Sequence, residues 1–165
     1  MPQKRSAERS DSKPASRSVP RVGSGGATGK QASPSNRMAR FRFAFEDEIP
    51  DEIWRQIDRL PTRLHRELLI TSLSQGILPV HDEQAAGDKF VVYLDGDTPK
   101  HFGRLEGNKV MSKWGRGRVL NHGLWEVPLT YGSKVKYSSG EIDCATLKKV
   151  IEGFRDYART SAKKK

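Results

Sequence analysis

Four side chains in this sequence could do chemistry together: His101, Ser112, His122 and Cys144. His101 falls in the run KHFGRLE, and Ser112 leads Lys113 and Trp114 on the run that follows. Both runs read as strands, and an imidazole fixed on a strand makes a rigid general base. Such a base needs a nucleophile to serve. Cys144 follows Asp143, a good helix N-cap, so its thiol takes the first helical position, where unpaired amide groups favour the thiolate. The chemistry of that pair would be acyl transfer: Cys144 attacks, His101 takes its proton, and Ser112 or His122 orients the ring. A plainer reading stands beside each residue. A lone cysteine is mostly a packing residue, a strand histidine can be satisfied in place, and His122 after Asn121 reads as a turn or surface residue. Lys113 and Trp114 are candidate binding residues, although Trp114 also suits a core. His65 reads onto a polar helix face and His81 into a loop. Four dispersed histidines and one cysteine do not space as zinc ligands, so neither a metal nor a cofactor is expected.

The elements that position these groups follow from periodicity. ARFRFAF alternates Phe41, Phe43 and Phe45 with Arg40 and Arg42, the pattern of a short strand or an extended arm on the body. Pro50 and its flanking acids then suit the first turn of a helix, with Ile53, Trp54, Ile57 and Leu60 as its apolar stripe and Pro61 as its stop. A second helix begins with Thr62 near its cap, turns Leu64, Leu68, Leu69 and Leu73 to the core, and ends at Gly76. Between Gly87 and Tyr137, short apolar runs alternate with Gly-rich turns, which predicts a small antiparallel sheet. FVVYL is its strongest strand, Gly107-Asn108 marks a hairpin, RVLNH suits an edge, and Lys134–Tyr137 closes it. Leu147, Val150, Ile151, Phe154 and Tyr157 recur at helical spacing in a final helix. The expected fold class is therefore α+β: two N-terminal helices, a small antiparallel sheet and one C-terminal helix.

Charge is unevenly spread along the 165 residues. Residues 1–43 hold ten Lys/Arg against two acids, a net +8, and the other 122 residues carry only +2. The basicity lies in the tails, which favours loose, salt-sensitive attraction of a polyanion such as RNA or DNA through residues 1–37, or simple solubility. Residues 1–37 are rich in Ser, Pro, Gly and basic groups and read as a disordered tail, 38–160 as one domain, and 161–165 as a second basic tail. GSGGATGK looks like a phosphate-binding loop, but no strand precedes it, no helix follows, and Gln31 stands where Ser or Thr belongs. One cysteine excludes an intrachain disulfide and points to a reducing, cytoplasmic location. There is no apolar run of membrane-spanning length and no secretory h-region.

The string GD…VVY…H…SKWG…H…VP…YG…Y resembles the papain-like, NlpC-type cysteine peptidase superfamily, which includes degenerate and permuted members. The matching residues are Gly87, Asp88, Tyr93, His101, Ser112, Lys113, Trp114, Gly115, His122, Val127, Pro128, Tyr131, Gly132 and Tyr137, within about fifty residues of chain. In that family the nucleophile is a cysteine opening a helix before the sheet, and here no cysteine precedes His101. The resemblance thus implies a degenerate module that works as a non-catalytic binding or interaction domain for a protein or peptide. A His-then-Cys order also resembles the permuted, lecithin retinol acyltransferase type. That likeness implies the alternative of a thiol hydrolase or acyltransferase using Cys144 and His101. A third reading, from charge alone, is a nucleic-acid-associated protein that uses its basic tails.

Overall fold

Ser35 caps the first helix, its hydroxyl accepting from the Met38 amide at 3.2 Å, and the helix α1 runs Asn36–Phe45. In this computed structural model residues 35–115 and 117–163 are described. The helix overturns the expected strand or arm over ARFRFAF. Met38, Phe41 and Phe45 recur three and four residues apart, so they share one helical face and are buried together, while the Phe/Arg alternation merely coincides with that spacing. The helix therefore begins at Asn36, slightly before Met38. The tail expected over residues 1–37 lies outside the described residues up to residue 34, as do residues 164–165 at the other end.

Two further helices follow, α2 (Asp51–Asp58) and α3 (Thr62–Ser74), so that among the described residues three helices precede the sheet, one more than expected, and the fold class is α+β as expected. Pro50 and Pro61 stand at their N-caps, and Thr62, next to the cap, is the first helical residue of α3, as expected. Ile53, Trp54 and Ile57 of α2 are wholly buried, as the stripe requires. His65, expected on a polar face, is buried on α3, and its pKa is lowered by that burial.

The sheet comprises β1 (Phe90–Asp95), β2 (Thr98–Glu106), β3 (Lys109–Trp114), β4 (Arg118–His122) and β5 (Lys134–Ser138). All pairings are antiparallel, in the order β4-β3-β2-β1-β5. Gly107, at φ 60°, makes the β2–β3 turn, a conformation that glycine adopts without a Cβ penalty. The last helix, α4, spans Cys144–Ala162 and thus passes the expected domain end at residue 160. Asp143 caps it, accepting from the Thr146 amide and hydroxyl.

Strand alternation sends Phe90, Val92, Leu94 and Phe102 to one face, where they join Trp54, Phe41, Phe45, Leu68, Leu147 and Ile151 in the main core. Each such side chain contributes about 1.5–3 kcal/mol by leaving water. Val91, Tyr93, Val110 and Tyr137 point to the other face and form a smaller cluster under Leu105, Leu124, Val127 and Val135. Tyr157, expected on the buried stripe of α4, is instead exposed.

Candidate functional site

The second face of the sheet carries the candidate chemistry. β2 and β3 pair only from Gly103↔Ser112 to Glu106↔Lys109, whereas β3 stays with β4 out to Trp114↔Arg118. The two hairpins therefore part beyond Gly103 and Ser112. His101, Ser112, Trp114 and His122 share the face at this parting. Gly103 sits between His101 and Leu105 on it, and a Cβ there would clash with Val110 Cγ1. The missing side chain lets Val110 pack closely beside the line that joins His101 to Ser112.

Ser112 Oγ is the centre of the cluster and has no exposure to solvent. His101 Nε2 lies 2.9 Å from it, His122 Nε2 2.7 Å and Trp114 Nε1 2.9 Å. Proton positions follow from what each group can donate. Trp114 Nε1–H only donates. His122 Nδ1 lies 2.7 Å from the Gly123 carbonyl, so Nδ1 carries a proton there and, in the neutral ring, Nε2 accepts from the Ser112 hydroxyl. That leaves His101 Nε2–H as the second donor to Ser112. The hydroxyl then gives its one hydrogen and accepts two, which is its full capacity. His101 Nδ1 remains as a buried lone pair with no partner among the described residues.

Aromatic and cationic groups close over His101. Tyr131 stacks on its ring with centroids 4.2 Å apart, and Tyr93 lies at 5.5 Å. Arg40 of α1 stands over the Tyr131 ring at 4.4 Å, and donates to the Tyr131 hydroxyl at 3.3 Å and to the Lys100 carbonyl at 3.0 Å. The β1–β2 register slips between Tyr93↔His101 and Leu94↔Pro99, which leaves Lys100 as the extra residue of a bulge, and Arg40 takes its carbonyl. Burial first, then the nearby Arg40 and His122 charges, push the His101 pKa down to about 3. His101 is thus a neutral, dry imidazole at any ordinary pH.

Cys144 does not join this cluster. Its sulfur lies 4.0 Å from the Glu48 carbonyl, and the side chain packs against the main core on the helix side. Adjacent residues on β2 point oppositely, so Phe102 belongs to the core that Cys144 touches and His101 to the far face. The helix-start position does not activate the thiol. Burial and the neighbouring Asp143 carboxylate raise its pKa, against a smaller opposing effect of Lys148. The structure thus brings His101, Ser112, Trp114 and His122 together and leaves Cys144 apart. His122, read from sequence as turn or surface, is buried at the end of β4. Lys113 points to the other face of β3 from Ser112, away from the cluster, and is half-buried. His81 bridges to Tyr137 and holds Asp88 at 2.7 Å.

Sequence reasoning named Tyr93, Tyr131 and Arg40 only as pattern residues, and gave none of them, nor Gly103, a role at the site. Tyr131 carried a signal, the Tyr-Gly pair before the last strand, but Arg40 carried none. Among the described residues no group of three His, Cys, Asp or Glu is arranged to hold a metal, and no helix is long and apolar enough to cross a membrane. Comparison with protein-family models, curated proteins and solved structures found no match for this chain.

Proposed function

We propose that the domain is a non-catalytic binding module, a degenerate relative of the papain-like superfamily in which the catalytic face has become a brace. The observation that carries this reading is the saturation of Ser112. A general base must offer a lone pair to a nucleophile or to a substrate proton. Here the Nε2 of His101 is spent on Ser112, and the Nε2 of His122 accepts a hydrogen bond from the Ser112 hydroxyl, which has no exposure to solvent. A nucleophilic serine would also lose reactivity by accepting from Trp114 and His101 at once. The thiol alternative lacks its pair, because Cys144 packs on the helix side of the sheet.

As a brace the cluster ties four pieces of chain. It links β2 through His101, β3 through Ser112 and Trp114, and β4 through His122. The Gly123 carbonyl continues it into the next loop, where Leu124 accepts from the Tyr93 hydroxyl at 2.8 Å. The module then presents that hairpin and loop as a rigid surface.

Activity-based labelling tests the reading. The full chain, incubated near neutral pH with a fluorophosphonate and with iodoacetamide, should show no labelling of Ser112 and only slow, non-selective labelling of Cys144. Rapid labelling of either residue that disappears in the His101→Gln variant would overturn it.

A further inference from the structure

We propose that the outer edge of β4 takes an acidic, extended peptide segment of a partner protein as a sixth strand of the sheet. The proposal rests on the binding-module reading and names its partner chemistry.

The sheet order leaves β4 and β5 at its two edges. β5 is partly covered, since His81 and Tyr137 exchange backbone hydrogen bonds at 3.0 and 2.8 Å. β4 pairs with β3 and with nothing else among the described residues. Edge strands are normally blunted by proline, a bulge, charges on the edge or extreme shortness, and of these β4 carries one charge, Arg118. β4 keeps continuous register with β3 over all five residues and holds no proline. Its outward amides and carbonyls form a template for main-chain pairing.

Side chains supply the specificity. Large apolar groups are exposed on β4 and in the chain that follows it: Val119 (46 %) on the strand, Trp125 (58 %) in the turn after it and Leu129 (96 %) further along. From Gly107 to Trp125 the sequence holds four Lys/Arg and no acid. Lys113 and Arg118 have no carboxylate within ion-pair distance among the described residues, although Lys109 lies near enough to Glu126 to help lower that carboxyl's pKa. Across a strand pair, opposite charges attract and like charges repel. A second copy pairing edge to edge would add its own Arg118 to the same basic hairpin, so the charge favours an acidic stranger over self-association. A nucleic acid would use the charge but leave the strand's main-chain groups unpaired. The buried Ser112 cluster fits this use, because a template strand that must not slip benefits from being fixed along one side.

Fluorescence anisotropy on the full chain provides the test. The probes are a labelled, capped peptide alternating glutamate and valine, its lysine–valine counterpart, the acidic peptide N-methylated at alternate residues in each of the two phases, and oligouridylate. The acidic peptide should bind at least about tenfold more tightly than the lysine peptide, and one N-methyl phase should cost about tenfold or more. Arg118→Glu and Val119→Asp, both at exposed positions, should each weaken binding while circular dichroism stays unchanged. A basic tail attracting the peptide loosely would not respond to these changes on β4.

No binding of the acidic peptide would overturn the proposal, as would indifference to both N-methyl phases. So would binding of oligouridylate alone, or a concentration-dependent dimer that Val119→Asp dissolves. Failure of the binding-module reading appears elsewhere, as rapid labelling of Ser112 or Cys144, so the two outcomes are distinguishable.

Discussion

On one face of the sheet, Phe90, Val92, Leu94 and Phe102 meet apolar residues of α1, α2, α3 and α4 in one hydrophobic layer. On the other, Val91, Tyr93 and Val110 share the surface with His101, Ser112, Trp114 and His122, whose hydrogen bonds converge on one hydroxyl. The apolar face gains its free energy from area removed from water, which is non-directional. The polar face gains little net energy from each hydrogen bond, but leaving a donor or acceptor without its partner is costly. The first face therefore sets how stable the domain is. The second sets where β3 and β4 lie, because only one arrangement satisfies all the partners.

The largest expected effect is on the helix face. Phe102→Ala removes a wholly buried ring in edge contact with Phe41 and Phe45. It should destabilise the domain by about 3–5 kcal/mol in denaturant unfolding, as large-to-small core changes do. A loss below about 1 kcal/mol would mean that this face is not the main core.

Ser112→Ala comes next. It strands the Trp114 N–H, the His101 N–H and the His122 lone pair together, at a cost of about 2 kcal/mol or more. The sharper readout is local. Hydrogen exchange should rise in β3, β4 and the 123–126 turn before it rises in α2 or α3. Uniform loosening of the whole domain would erase the distinction between the two faces.

The two faces also differed in how much the sequence revealed. Helical and strand periodicities are properties of apolar spacing, so α2, α3, α4 and all five strands could be read from it. The exception, α1, is instructive: Phe41, Phe43 and Phe45 satisfy a period of two, while Met38, Phe41 and Phe45 satisfy the helical one. Packing of Phe41 on Phe102 and Trp54, which lie further along the chain, favours the helical one. At the site, the histidines and the serine were visible as types on strands. That Ser112 would bond both His101 and His122 was not visible, because it depends on the β2–β3 register and on the missing side chain at Gly103. Arg40 was invisible for the same reason, since it reaches Tyr131 and Lys100 only once α1 is laid on the sheet. The helix-start argument for Cys144 placed the residue correctly on α4 and named Asp143 as its cap, but left out the effect of that carboxylate's charge, which disfavours a thiolate beside it.

A smaller effect separates the faces by pH. Folded His101 stays neutral down to about 3, whereas an unfolded histidine protonates near 6.5. Between those values the unfolded chain holds the extra proton, so stability falls as pH falls, by up to about 1.4 kcal/mol per unit. Above 6.5 the contribution is complete and flat. His101→Gln should remove this part of the slope, read as the difference between the two proteins in urea midpoints from pH 7 to pH 4. Parallel curves would mean that His101 is not dry.

The smallest expected effect belongs to Cys144, and it bears most directly on catalysis. The thiol touches the edge of the apolar layer and makes only a long contact to the Glu48 carbonyl, so Cys144→Ala should cost less than about 1 kcal/mol. Its reactivity should follow simple ionisation. Because burial and Asp143 raise its pKa above the ordinary 9, only a small fraction is thiolate near neutrality. Alkylation by iodoacetamide should therefore be slow at pH 7 and rise about tenfold per pH unit, since the thiolate is the attacking form. Asp143→Asn removes one of the two causes of the raised pKa and should speed the reaction. His101→Gln should leave it unchanged, because His101 faces the other side of the sheet. A fast reaction at neutral pH that falls when His101 is replaced would instead couple the two faces and revive the acyltransferase alternative.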